Sequence, residues 1–168
     1  MNVDRFSPAG RNDVLRSVID CGMPIENVVE MMLSTDMAER KNWDSMMEVE
    51  LIQNYGPNDD LVKYSIKVPF MSPLVYEIRL VKVYDFPEPG SVTAVYVVPE
   101  TAVGGKKPEG LGNLVIKPNG PNGAIYTAIE ELPPSRLPNF MLNWFISSMT
   151  PRLMSAVIAK YKKYRGLS

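Results

Sequence analysis

The C-terminal segment of the chain constrains the fold most. After Pro133-Pro134-Ser135, the apolar residues Leu142, Phe145, Ile146, Met149, Leu153 and Val157 recur at three- and four-residue spacing. That spacing predicts one long helix with a single apolar stripe. Pro151 interrupts the pattern, so a kink or break is expected there. The run closes in KYKKYRG, basic residues followed by glycine, which is ordinary helix C-terminal chemistry. A striped helix of this length needs a large apolar surface to cover it, and only a sheet is available upstream.

That sheet is written as period-two alternation. Met47–Tyr55 sets Val49 and Leu51 against Glu48 and Glu50, and it stops at the Gly-Pro-Asn-Asp-Asp turn of residues 56–60. Leu61–Val68 places Val62, Tyr64, Ile66 and Val68 on one face and Lys63, Ser65 and Lys67 on the other. Leu74–Phe86 sets Leu74, Tyr76, Ile78 and Leu80 opposite Glu77 and Arg79. Val92–Val98 follows, apolar on both faces. Asn113–Lys117 and Ala124–Leu132 then flank a Pro-Asn-Gly-Pro-Asn-Gly turn. Ahead of these strands, Val3–Phe6 and Val14–Cys21 read as extended. Pro24 opens a helix whose stripe is Ile25, Val28, Val29, Met32 and Leu33, and a second helical piece runs from Thr35 to Trp43-Asp44. Strands bracketed by helices predict an α+β fold with an antiparallel sheet. Its strongly curved concave face wraps around the long terminal helix.

Composition narrows the chemistry. The 168 residues contain no histidine and one cysteine. This excludes His-based nucleophile pairs, an imidazole base and His-containing zinc sites. Cys21 alone forms no intrachain disulfide, and at the end of a β-branched run it reads as buried and inert. A net charge of -1 gives no field for steering onto nucleic acid, so no nucleic-acid partner is expected. There is no P-loop and no clustered acidic metal site, so neither a cofactor nor a metal is expected. No apolar run reaches the roughly 18 residues of a membrane span, and no secretory signal is visible. The expectation is a cytoplasmic single domain over residues 1–168. Eleven methionines are the compositional oddity, suited to core filling or to an adaptable apolar cavity.

Three stretches resemble one known family. MPIENVVEMMLSTDMAERKNWD is similar to its paired helices ending in Trp-Asp, and EVELIQNYGPNDDLVKYSIKVPFMS to its Glu-rich strand, the next strand and a Pro-Phe loop. ELPPSRLPNFMLNWFISSMTPRLMSAVIAKYKKY resembles its terminal lid helix. The family is the START domain, the lipid-transfer module of steroidogenic acute regulatory and phosphatidylcholine-transfer proteins, within the START/Bet v 1-like superfamily.

The resemblance implies a helix-grip fold, here with a short N-terminus and no N-terminal helix. It also implies a non-enzymatic protein that holds a lipid or sterol-like hydrophobic ligand inside and carries it between membranes. Two relatives of the fold stay open, a polyketide cyclase or aromatase and a ligand-free interaction scaffold. The ligand walls expected on this reading are Tyr64, Ile66 and Val68 on one strand and Leu74, Tyr76, Ile78 and Leu80 on the next. Leu142, Phe145, Ile146 and Met149 form the roof. Tyr64 and Tyr76 are the expected polar contacts, and no residue is assigned a catalytic role. Family members usually carry an Arg-Asp pair where this chain has Leu74 and Val75, which argues against a phosphocholine headgroup. Arg79 and Glu77 are expected to face outward. The loop Asp85–Gly90 and the helix near Met149–Leu153 form the expected gate. Lys160, Lys162, Lys163 and Arg165 are candidates for transient contact with a membrane surface or for simple helix-end chemistry, in a protein expected to be a monomer.

Overall fold

Period-two alternation along the middle of the chain becomes a single eight-stranded antiparallel sheet. The computed structural model describes residues 1–9, 13–67, 73–97, 112–131 and 143–167. In chain order these form β1 (Asn2–Phe6), β2 (Val14–Asp20), α1 (Ile25–Leu33), α2 (Met37–Arg40), β3 (Met47–Gly56) and β4 (Asp59–Ile66). There follow β5 (Leu74–Tyr84), β6 (Val92–Val97), β7 (Gly112–Pro118), β8 (Ala124–Glu131), a π-helical turn (Phe145–Met149) and α3 (Thr150–Arg165). Sheet order is β1-β2-β8-β7-β6-β5-β4-β3, so β1 and β3 are edges and the sheet does not close on itself. One long connection, through α1, α2 and the meander, brings β8 back beside β2.

The alternation decides which side is covered. Val62 and Tyr64 of β4, Ile78 and Leu80 of β5, Val92 and Ala94 of β6, Leu114 and Ile116 of β7, and Tyr126 and Ala128 of β8 are buried in one core. Lys63, Ser65, Arg79 and Val75 take the opposite parity on the outer face. Helix α1 buries Val28 and Leu33 of its expected stripe together with Met31, while Ile25, Val29 and Met32 pack half-buried against the same core, and it contacts β7 and β8. Asp36 caps α2 by accepting from the Ala38 and Glu39 amides at 2.8 and 3.2 Å.

The C-terminal helix is anchored at one end. Tyr161 is fully buried and meets Trp43 edge to face, with ring centroids 5.0 Å apart. The Trp43 indole N–H donates to the Met31 carbonyl at 3.3 Å. Arg165 ion-pairs with Glu30 of α1 and, at 2.9 Å, with Glu39 of α2. Gly166, at φ 67, ends the helix in the left-handed conformation. Pro151 lies next to a helical irregularity. It follows closely on the π-helical turn Phe145–Met149 within a continuous helical run, Met149 itself being αR, so the interruption expected at Pro151 takes the form of a local change of helical pitch.

Candidate functional site

The inner face of the sheet is built from cross-strand rows. Tyr64 stands opposite Val49 on one side and Tyr76 on the other, and Ile66 stands opposite Leu74. Further along, Leu80 faces Tyr96, Ala94 faces Leu114, and Ile116 faces Tyr126. Of the residues expected from sequence, Tyr64, Ile78, Leu80 and Ile146 are buried, while Ile66 and Met149 are half-buried. Leu74 and Tyr76 are placed by register alone. Their side chains and that of Phe145 lie outside the described residues, as do Val68 and Leu142 entirely. Val75 points outward and is exposed, so only Leu74 of the pair at the family's Arg-Asp positions falls on the inner register.

Sequence reading missed Tyr96, Tyr126 and Glu130. Tyr96 was submerged in a strand apolar on both faces, and Tyr126 and Glu130 in a short strand with no assigned inward side. The parity of Ala124, Tyr126, Ala128 and Glu130 on β8 was nevertheless available in the letters. Together with Tyr64 the two tyrosines place three phenols on the inner side, and Glu130 shares that parity but is exposed near the end of β8. The Tyr64 and Tyr96 rings meet edge to face with centroids 6.5 Å apart. Burial pushes the Tyr64 phenol up to about 12 and holds those of Tyr96 and Tyr126 well above their ordinary value. The Glu130 carboxyl is also raised, and desolvation is the cause.

Other polar groups of the inner side are already matched. Lys82 donates to Asp60 at 3.3 Å, and Asn54 donates to the same carboxylate at 2.7 Å. The buried Arg40 guanidinium pairs with Asp44 at 3.2 Å and donates to the Met32 and Ser34 carbonyls, leaving Nε without a partner. By contrast, no hydrogen bond joins the Tyr64, Tyr96 or Tyr126 hydroxyls or the Glu130 carboxyl to another group among the described residues. Burial raises the Cys21 thiol to about 11, which makes it a poor nucleophile. Among the described residues no set of acidic or cysteine side chains could hold a metal ion. None of the described helices is long and apolar enough to cross a membrane.

The outer face is different in kind. An open groove of about 480 Å³ follows the β3–β5 end of the sheet, lined by Glu48, Glu50, Lys63 and Ser65 among others. Lys63 and Glu50 pair in it at 3.3 Å, and Met37, Val49 and Val75 add apolar surface to its lining. Arg79 turns outward as expected. It pairs with Asp59, Nε to Oδ1 at 2.6 Å, with its guanidinium 4.9 Å from the Tyr55 ring centroid. The turn expected as a gate is held by its own polar groups. Gly90 N–H donates to Asp85 Oδ1 at 2.8 Å, Ser91 Oγ to the Glu88 carbonyl at 2.6 Å and Thr93 Oγ1 to the Phe86 carbonyl at 2.7 Å.

An open antiparallel sheet whose inner face is covered by α1 and a long C-terminal helix defines a helix-grip protein. By sequence the chain matches no protein-family model and none of the curated proteins. By structure it superimposes on human STARD10 with a TM-score of 0.71 at 18% identity, covering 98% of this chain and 74% of that one. A STAR-related lipid transfer protein from Xanthomonas axonopodis gives 0.70 at 12% identity, over 95% of this chain and 92% of that one. Human StAR-related lipid transfer protein 5 gives 0.65 at 16% identity, over 96% and 85%. The fold is that of START domains.

Proposed function

We propose that residues 1–168 act as one unit that binds a lipid or similar hydrophobic molecule between the inner face of the sheet and the C-terminal helix. The carried molecule passes between membranes unchanged. One observation carries the reading. The inner side is lined by apolar residues together with the phenols of Tyr64 and Tyr126, a composition that suits a ligand site. The START fold supports it, since neighbours of that fold are named as lipid transfer proteins.

The site on this reading comprises Tyr64, Ile66, Val68, Leu74, Tyr76, Ile78 and Leu80 as walls and Leu142, Phe145, Ile146 and Met149 as roof, now extended by Tyr96 and Tyr126. Burying apolar ligand surface contributes ~25 cal/mol per Å², so a few hundred Å² hold a lipid without any charge pair. With Leu74 on the inner register, a headgroup without phosphate suits the site: a sterol, fatty acid or diacylglycerol. The protein works as a cytoplasmic monomer that touches membranes transiently. Native mass spectrometry of protein purified without detergent, followed by organic extraction, tests this. A stoichiometric lipid that also moves between donor and acceptor vesicles is the expected result. Mainly phosphatidylcholine in the extract overturns the headgroup assignment, and an empty protein that binds no apolar dye overturns the carrier reading.

A polyketide cyclase or aromatase of the same fold is the second reading, and Glu130 is the observation in its favour, because β8 register gives it the inward parity. Recovery of the ligand chemically altered after incubation would select it.

A further inference from the structure

We infer that the first half of β3 is a docking edge for an extended peptide segment of another protein, one that alternates basic and apolar residues and adds to the sheet as a further strand. No strand lies beyond β3 in the sheet, so every second residue of it turns its amide and carbonyl away from β4. The Lys67 amide donates to the Met46 carbonyl at 2.7 Å, and this fixes the phase. Glu48 and Glu50 exchange bonds with β4, while Met47, Val49 and Leu51 present their backbone groups to the edge. Pairing stays in step from Met47 opposite Ile66 to Leu51 opposite Val62 and slips only beyond, so this half offers an evenly spaced row.

The three edge amides are covered unequally. Met47 N–H donates to Asp44 Oδ1 at 3.1 Å, a charged acceptor. Val49 N–H donates to Met37 Sδ at 3.0 Å, and a thioether is a weak acceptor on a flexible stem. Leu51 N–H has no partner among the described residues, and Leu51 is exposed. Met37 and Val49 also line the open groove of about 480 Å³, which gives the Met37 side chain room to move aside for a better acceptor. A peptide carbonyl is such an acceptor.

Charge selects the segment. On the outer face Glu77 of β5, Lys63 of β4 and Glu50 of β3 stand directly opposite one another, a row of alternating sign that ends on an acid at the edge. Lys63 Nζ lies 3.3 Å from Glu50, whose side chain is still 69% exposed. A basic residue opposite Glu50 continues the alternation, and a second falls opposite Glu48, which already pairs with Lys67 on its other side. Between them the peptide turns its side chains to the face of Val49 and Leu51, where apolar residues belong. A second copy of this chain does not supply that pattern, because β3 paired with itself about Val49 brings a glutamate, not a cation, opposite each of these acids.

Fluorescence anisotropy of labelled peptides added to the full chain tests the assignment. The probes are a hexapeptide of alternating lysine and valine, the same peptide N-methylated at its valine amides, which face the edge in this register, one of alternating glutamate and valine, and one with its lysines and valines grouped in two blocks. The alternating basic peptide is expected to bind about tenfold more tightly than each of the others. L51P removes an outward amide without touching the bonds to β4 and is expected to weaken that peptide about tenfold, and E50K severalfold. Equal binding of the grouped or N-methylated peptide, no binding by any of them, or an affinity unchanged in L51P overturns the assignment. Self-association of the protein that disappears in L51P gives the edge to a second copy and overturns it too. The peptide comparison on unaltered protein decides the matter even if L51P does not fold. The carrier reading stands or falls separately, on the lipid extract.

Discussion

The Tyr161 hydroxyl donates to Glu30 Oε2 at 2.5 Å, tying the C-terminal part of α3 to α1. Asn27 donates to the same hydroxyl at 3.3 Å, and Arg165 closes on Glu30 from one turn further along. The C-terminal half of the lid helix is therefore part of the α1 layer. Removing the hydroxyl leaves Glu30 Oε2 without its buried donor. Y161F is expected to lose about 1–2 kcal/mol of stability with the fold intact, read as a shift of the urea midpoint at constant slope.

Trp43 carries more of the same junction, being buried, edge to face with Tyr161 and 5.5 Å from the Tyr164 ring. W43A opens a cavity at the meeting of α1, α2 and α3. About 3–5 kcal/mol is expected to be lost, with a matching fall in melting temperature by circular dichroism.

The other end of the helix is held differently. The π-helical turn Phe145–Met149 precedes a proline that donates no backbone hydrogen bond, and Trp144 is exposed. Amide hydrogen exchange is expected to be faster across residues 145–150 than across 158–165, by at least an order of magnitude in protection. Uniform protection would show the helix moving as one piece.

Alkaline solution weakens the fold. Cys21 and Tyr64 hold their protons up to about 11 and about 12 when folded, but release them nearer their ordinary values when unfolded. Above roughly pH 9 the native state thus binds more protons than the unfolded one, and stability falls as pH rises. The urea midpoint is expected to be flat from pH 7 to 8.5 and to decline above pH 9, less steeply in Y64F. At pH 7.5 Cys21 is expected to resist iodoacetamide until the protein is unfolded.

The Arg79–Asp59 pair makes the contrasting case. It is exposed and lies on the outer face, so R79Q is expected to leave both the urea midpoint and apolar-dye binding unchanged. A loss of dye binding in R79Q would place that strand face inward.

The sheet and its gripped helix were legible because period two and period 3.6 are one-dimensional signals, as Val62–Tyr64–Ile66 and Leu153–Val157 illustrate. The inner polar cluster was not. Tyr96 lies on a strand apolar on both faces, whose inward side is fixed only by pairing with β5 and β7, and register is a property of neighbours rather than of a strand alone. The anchoring role of Arg165 was hidden for the same reason. In the letters it is one of four basic residues at a helix end; in space it meets Glu30 and Glu39.

The open sheet leaves β3 as a bare edge with Leu51, Ile52 and Tyr55 exposed, a surface that another chain's strand could extend into a fibril. Two irregularities guard it, between Leu51 and Gln53 and between Asn54 and Gly56, where the pairing with β4 slips out of step. A slipped strand no longer presents an evenly spaced row of amides and carbonyls. The interruptions that look like flaws in β3 are thus features expected to disfavour edge-to-edge aggregation.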